Sequence, residues 1–188
     1  MSALWLIRHG PTHAEGMCGW SDLPADLSDT AAIARLAATL PTAPVMSSDL
    51  DRAVRTADAV AGNRPRLPHD PDLREIHFGA WKLRRHDEVE AEAPDLIRAF
   101  WDHPGDVAPP GGESWNALRS RCDAAIDHAW TGGDLIVVAH FGVILTQLQR
   151  ALGCDAHEVF AHRIEPLSLT RIETGTEGWR AVEINRLP

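Results

Sequence analysis

The sequence predicts an α/β fold with buried parallel strands. Two continuous apolar runs, residues 3–7 and 135–139, end in Arg8-His9-Gly10 and His140-Phe141-Gly142. Such runs are typical of strands that are buried on both faces of a parallel sheet. Segments with helical periodicity lie between them, and strands that alternate with helices indicate an α/β protein.

Helical periodicity, caps and breakers place the other elements. Helices are expected over about 29–40, 49–61, 82–102 with a break at Pro94, 114–131, 143–152 and 156–162. Additional strands are expected over 43–48, 166–173 and 179–185. Ser28 is the predicted N-cap of the first helix, and Ser48 or Asp49 that of the second. Residues 13–28 contain two Gly and one Pro without periodicity, and a loop of this length is usually functional.

Composition narrows the class of partner. A chain of 188 residues predicts one domain over 1–188, and its net charge of −9 argues against nucleic acid or an anionic membrane as partner. There is no signal-peptide pattern and no window of 18 apolar residues. The three cysteines are far apart and lack metal-ligand spacing, so we expect free thiols and a cytoplasmic protein.

The ends of the two buried strands are the first candidate site. Ligand crevices of open α/β sheets lie outside the carboxyl ends of the strands, and parallel neighbours would bring His9 and His140 to the same edge. Arg52 and Arg55 lie near the start of the second helix, where a bound anion would explain positive charge. Pairing of either arginine with nearby aspartates is the alternative.

Together with Glu75, these residues suit phosphoryl transfer. Two guanidinium groups, from Arg8 and Arg52, can hold phosphate oxygens in fixed geometry, and His140 can donate a further hydrogen bond. A neutral imidazole at His9 is a competent nucleophile toward phosphorus. A carboxylic acid at Glu75 can protonate the leaving alkoxide. Cationic side chains would supply the electrostatic stabilisation, so no metal or other cofactor is predicted.

Several motifs, in this order, resemble the histidine phosphatase superfamily, which has the phosphoglycerate mutase-like fold. They are Leu6-Ile-Arg8-His9-Gly10-x-Thr12, Gly19-Trp20-x-Asp22, Ser47-Ser48-Asp49-Leu-x-Arg52-Ala-x-x-Thr56-Ala57, Leu73-x-Glu75-x-x-Phe78-Gly79-x-Trp81, Pro110-Gly-Gly-Glu113-Ser114 and Val137-Val-Ala-His140-x-Gly142. The resemblance covers most of the chain, and several ordered segments are far more specific than any one of them.

The resemblance implies a three-layer α/β/α sandwich with a mainly parallel central sheet. It also implies that His9 is the phosphorylated nucleophile and that Glu75 is the general acid and then the base for water. The phosphate pocket would consist of Arg8, Arg52 and His140, with Thr12 at its edge and the Gly142 backbone adding contacts. Arg55 would then be structural.

Two positions depart from the family pattern. Pro11 stands where many members have Glu, and Glu15 stands where many have Asn. A carboxylate at position 15 would repel the substrate, so we expect Glu15 to point away.

Hydrolysis is favoured over mutase activity. The mutase branch has a basic insertion after the acid segment, where this chain offers only Lys82, Arg84, Arg85 and His86. The chain is similar to α-ribazole phosphatases of cobalamin assembly, which implies a small phosphorylated substrate such as α-ribazole 5'-phosphate.

The rim of the pocket is expected to come from residues 13–25 and 80–115, where the resemblance is loosest. Trp20 and Trp81 are candidates to stack the base of the substrate, and Arg84 is a further binding candidate. Trp5, Trp115 and Trp130 are expected in the core. A homodimer is common for such folds. The alternatives are a phosphoglycerate mutase-type transferase and a non-catalytic phosphate-binding or interaction module.

Overall fold

The computed structural model describes residues 2–176 and 178–188, and within them five strands form one mixed sheet. In chain order, the strands are β1 (Ser2–Arg8), β2 (Val45–Ser47), β3 (Leu135–Ala139), β4 (Leu169–Gly175) and β5 (Gly178–Arg186). Their spatial order is β2-β3-β1-β4-β5.

Two of the four strand pairings in the sheet are parallel. β3 pairs in parallel with β1 and with β2, whereas β4 is antiparallel to both β1 and β5. The expectation of a mainly parallel sheet holds in part: β1, β2, β3 and β5 run in one direction, and β4 runs against its neighbours, which alternating apolar residues do not predict. β4 and β5 are joined by two residues, too few for the crossover that parallel pairing requires. The three-layer sandwich stays a prediction.

Seven helices lie in the described ranges: α1 (Thr30–Thr39), α2 (Asp51–Ala61), α3 (His86–Glu92), α4 (Pro94–Asp102), α5 (Trp115–Ala129), α6 (Phe141–Leu152) and α7 (Ala156–Val159). Short 3-10 turns cover Pro71–Leu73 and Gly79–Trp81. The break at Pro94 is confirmed. No helix in these ranges combines the length and the apolar character that crossing a membrane requires.

The helix caps agree only in part with expectation. Ser114 caps α5 through its hydroxyl, which accepts from Ala117 N at 3.2 Å. The predicted cap of α1 is wrong by one residue, because Asp29 rather than Ser28 accepts the hydrogen bond from Ala32 N. The predicted cap of α2 is also wrong, since Leu50 is its N-cap residue and has no capping side chain.

The side chains of β1 alternate between two apolar clusters. Leu4 and Leu6 pack into the larger cluster, together with residues of α5 and α6, and Ile7 packs into a second cluster with residues of α1 and α2. Apolar packing thus fixes β1 and β3 on both sides up to their last residues. The next residues, His9 and His140, therefore start from a rigid edge of the sheet.

Candidate active site

His9 is held in one tautomer at the end of β1. Its backbone N–H donates to Ala139 O at 3.1 Å, which continues the pairing with β3. Its Nδ1 lies 2.7 Å from Gly10 O, and a carbonyl can only accept, so Nδ1 carries the hydrogen. The lone pair is therefore on Nε2, which accepts from Arg52 Nε at 3.1 Å.

The surroundings of His9 keep its ring neutral. Burial lowers the pKa of His9 to about 3, with a further lowering from Arg52 and a smaller one from Arg8, while the hydrogen bond to Gly10 acts in the opposite direction. An imidazole near neutral pH in this place is unprotonated and has a lone pair to donate.

Arg52 joins the nucleophile to the long loop. Its side chain is 1% exposed, and its Nη1 and Nη2 donate to Ser21 O at 2.7 Å and Gly19 O at 2.6 Å. Arg55, the other arginine of α2, lies on the exposed face and pairs with Asp51. The choice of Arg52 over Arg55 as the arginine beside His9 agrees with this geometry.

The Arg8 guanidinium has N–H donors that no described residue accepts from. Its Nη1 donates to Ile164 O at 2.6 Å, and its buried Nε has no partner within the described ranges. The guanidinium carbon lies 5.5 Å from the centre of the Phe141 ring. Burial lowers the pKa of Arg8, partly offset by Glu75 and Glu165. An anion beside His9 would find an incompletely satisfied guanidinium there.

His140 faces His9 across the paired strands. The ring centres are 5.0 Å apart, as the parallel pairing of β1 and β3 predicts. His140 is fully buried, and burial, followed by His9 and Arg52, holds its pKa well below the ordinary value. Its Nε2 lies 2.7 Å from Ser48 Oγ, while Nδ1 has no partner among the described residues. Sequence reasoning gave Ser48 as a candidate helix cap and as part of a family motif, and missed this contact.

The side-chain carboxylate of Glu75 packs against the first turn of α6. Both carboxylate oxygens accept from Gly142 N at 3.1 Å, and Oε1 also accepts from Ile76 N at 2.9 Å. A Cβ on residue 142 would lie 2.3 Å from Oε1, so only glycine permits this approach. The Gly142 backbone, which is expected to add contacts to the phosphate, donates its N–H to Glu75 in this structure.

The main chain of Glu75 is anchored from two sides. Its carbonyl accepts from Trp20 Nε1 at 2.6 Å and from Arg121 Nη2 at 3.0 Å. Arg121 also forms a two-pronged ion pair with Glu113, at 2.7 and 2.8 Å, and Glu113 accepts from His77 N. Trp20 therefore contacts the acid segment through its N–H, and its role in stacking the base of the substrate stays a prediction.

Arg121 is a residue that sequence reasoning missed. It lies on α5 beside the buried Cys122, and its guanidinium donates to Asp72 O and Arg74 O at 2.7 Å each. A usable signal was a charged side chain next to the apolar stripe of an amphipathic helix, since such a charge needs a partner. The separation of 46 residues from Glu75 hid the identity of that partner.

A family comparison agrees with this geometry. A sequence model of the histidine phosphatase superfamily (branch 1) matches residues 4–187. The chain belongs to the histidine phosphatase superfamily.

The named relatives in this superfamily include a phosphatase and a probable mutase. The adenosylcobalamin/alpha-ribazole phosphatase of Salmonella typhimurium is 30% identical over 172 residues, which cover 86% of this chain and 85% of that protein. The probable phosphoglycerate mutase GpmB of Yersinia pestis is 27% identical over 191 residues, which cover 96% of this chain and 89% of that protein. Among solved structures, Bacillus stearothermophilus YhfR has a TM-score of 0.89 and 26% identity, covering 100% of this chain and 98% of that one.

Two residues that the superfamily resemblance suggested for the rim make contacts within the protein. Trp81 is 3% exposed and packs edge-on against Phe100 in the core, so it does not line an open pocket. Arg84 forms a two-pronged ion pair with Glu92, at 2.8 and 2.7 Å. In both cases, a partner elsewhere in the sequence decides whether the aromatic or cationic side chain is available to a ligand.

Of the two loop positions at which this histidine phosphatase departs from many members, Glu15 is exposed and Pro11 is half-buried. Thr12, which matches the family motif, is half-buried with its hydroxyl 3.4 Å from Ala14 N. Burial raises the pKa of Cys18, which argues against a reactive thiolate. Among the residues that the structure describes, no three His, Cys, Asp or Glu side chains are grouped as a metal site.

Proposed function

We propose that this chain is a metal-independent phosphomonoesterase that acts on a small phosphorylated metabolite through a phosphohistidine at His9. The observation that carries the proposal is the state of the His9 ring. Its Nδ1–H is tied to Gly10 O, its Nε2 lone pair faces Arg52, and its pKa is lowered to about 3. This is a neutral nucleophile in a cationic pocket.

The first step transfers the phosphoryl group to the protein. Free guanidinium hydrogens of Arg8 and Arg52 bind phosphate oxygens, and the lone pair of His9 Nε2 attacks phosphorus in line with the ester oxygen. The N–P bond forms as the P–O bond breaks, and protonated Glu75 gives its proton to the leaving oxygen. Arg52 Nε must move from Nε2 to the phosphoryl group as this bond forms.

The tautomer of His140 follows from its neighbours. Ser48 Oγ accepts from Leu50 N, so its hydroxyl hydrogen is free to donate to His140 Nε2. Nδ1 of His140 then carries a hydrogen without a protein partner, and it can donate to a phosphoryl oxygen. A neutral donor there stabilises developing negative charge without raising the proton affinity of His9.

The second step regenerates the resting protein. The Glu75 carboxylate removes a proton from water, and the water oxygen attacks phosphorus as the N–P bond breaks. His9 Nε2 recovers its lone pair, Glu75 is again protonated, and inorganic phosphate leaves. The two roles of Glu75 are those of one group that alternates between acid and base.

Hydrolysis is supported over phosphoryl transfer between metabolites. A mutase would need free basic groups beyond the acid segment to hold a bisphosphate. In that segment, Arg84 is paired with Glu92 and Arg85 with Asp87, so that Lys82 is the one Lys or Arg there without an ion pair to a described residue. The similarity to a mutase-named relative keeps the transferase as the second candidate. The named phosphatase relative makes α-ribazole 5'-phosphate the first substrate to test.

Rapid-quench mass spectrometry tests the proposal. We expect α-ribazole 5'-phosphate to give an acid-labile phosphate on His9 that discharges to water, and His9→Ala to give none. His13→Ala is the matched control, because that histidine of the same loop is exposed and pairs with Asp26. A phosphoenzyme that passes its phosphate only to phosphoglycerate would favour the mutase. Absence of phosphoenzyme across a broad panel of phosphomonoesters would favour the binding module.

A further inference from the structure

A small apolar cavity lies beside Glu75. It encloses about 40 Å³, with Glu75 and Gly142 on one side. Aromatic side chains form most of the remaining wall: Phe78, Phe100, Trp101, Trp115, Phe141 and Phe160. Within the described part of the chain, Glu75 is the one charged residue that lines it. The described lining residues are therefore mostly aromatic and include no cation.

Trp101, which lines this cavity, has an unsatisfied polar atom. Trp101 Nε1 is buried and has no hydrogen-bond partner in residues 2–176 and 178–188. The neighbouring indole of Trp115, by contrast, donates to Gln149 at 2.8 Å. A buried donor without an acceptor is costly, and buried polar groups in folded proteins are nearly always paired. An acceptor on a bound molecule would satisfy this N–H.

The position of the proposed acid indicates which part of a substrate enters the cavity. An acid at Glu75 must lie within hydrogen-bond distance of the ester oxygen, so the carbon atoms attached to that oxygen lie next to the carboxyl group. That is where the aromatic wall begins. Phe78, Phe100 and Trp115 are buried and form the floor, while Phe141 and Phe160 are partly exposed at the lip.

We propose that the cavity binds the leaving group of the substrate, and that this group is an uncharged aromatic alcohol with a hydrogen-bond acceptor for Trp101 Nε1. The inference rests on the proposed phosphatase function. The enclosed volume takes the edge of a planar ring, and the rings at the lip offer stacking surface to the rest of it. An anionic leaving group such as glycerate would place its charge against aromatic walls and Glu75, with no cation among the described lining residues.

The acceptor is tested with substrates that differ by one atom. Benzyl phosphate is compared with the three isomeric pyridylmethyl phosphates, in which a ring nitrogen replaces one C–H. We expect the best isomer to exceed benzyl phosphate in kcat/KM by about fivefold in the wild type. Trp101→Phe, which removes the N–H and keeps an aromatic ring, should bring this ratio to about one.

A second tryptophan provides the matched control. Trp130 donates to Gly133 O and packs against Trp179, away from the cavity, so Trp130→Phe should keep the wild-type ratio. A ratio near one in the wild type, or a fivefold ratio that survives Trp101→Phe, would overturn the role of the Trp101 N–H.

The charge preference is tested on the wild type alone and so does not depend on the folding of a variant. We expect benzyl phosphate to exceed 3-phosphoglycerate in kcat/KM by about a hundredfold. Equal values, with a phosphohistidine formed from both, would overturn this inference and leave the phosphatase intact. Failure to form any phosphoenzyme would instead overturn the proposed function and this inference with it.

Discussion

The backbone N–H of Gly142 lies 3.1 Å from each of the two carboxylate oxygens of Glu75. Position 142 has no side chain, and a Cβ there would lie 2.3 Å from Glu75 Oε1. The first turn of α6 therefore fixes the group that we propose as the acid, and the absence of one methyl group makes this contact possible.

Gly142→Ala should lower kcat by about a hundredfold with a smaller change in KM, because a catalytic group displaced by about 1 Å loses its alignment. Steady-state kinetics on benzyl phosphate measures the change. Gly175→Ala is the control, since no atom lies within 4 Å of a Cβ added there. Wild-type kcat in Gly142→Ala would show that this placement of Glu75 does not matter for catalysis.

Arg121→Gln should lower kcat for an alkyl phosphate by about tenfold. The substitution removes one of the two anchors of the Glu75 carbonyl and leaves Glu113 without its ion pair. The effect should be much smaller for p-nitrophenyl phosphate, whose leaving group needs little help from an acid. A purely structural role of Arg121 would lower both rates by the same factor.

Arg119→Gln is the matched control for Arg121→Gln. Arg119 lies on the same helix, is more exposed and pairs with Asp123 at 3.5 Å. We expect its rates on both substrates to stay near those of the wild type. A selective loss on the alkyl phosphate in Arg119→Gln would mean that charge on α5, rather than the anchor at Glu75, causes the effect.

Ser48→Ala should weaken inhibition by inorganic phosphate by about tenfold, because His140 would lose the hydroxyl that holds its tautomer. Ser47→Ala is a close control, since Ser47 is equally buried but contacts His69 instead of His140. The two inhibition constants are compared at one pH. Equal constants would remove Ser48 from the phosphate site.

The two buried histidines should make the protein less stable in acid. The pKa of His9 is lowered to about 3, so between pH 6.5 and 3 the unfolded chain binds a proton that the folded chain does not. This contribution to stability is complete above pH 6.5 and shrinks as the pH falls toward 3. His9 alone should cost about 2 kcal/mol at pH 5.

Urea unfolding of the wild type and of His9→Gln between pH 7 and 4 measures this effect. As the pH falls, the unfolding free energy of the wild type should decrease more than that of His9→Gln. Parallel curves would mean that His9 is protonated in the folded protein as readily as in the unfolded chain.

The sequence was sufficient to predict the two strand ends and their histidines, because apolar runs and the following glycines are local signals. The direction of β4 and β5 was not predictable from alternation, which is the same for parallel and antiparallel strands. The positions of the tryptophans were equally hard to predict. Nothing local distinguishes Trp81, which is in the core, from Trp101, which lines the cavity. Arg121 and Ser48 act on residues 46 and 92 positions away, beyond the reach of motif spacing.

The guanidinium of Arg52 is fully enclosed and holds the carbonyls of Gly19 and Ser21. If residues 19–21 moved away, the buried guanidinium would lose two of its three acceptors, at high energetic cost. The backbone around Arg52 is thus fixed before any ligand arrives. New substrate preferences in descendants of this protein would therefore arise through changes in the aromatic wall, while the phosphate side stays the same.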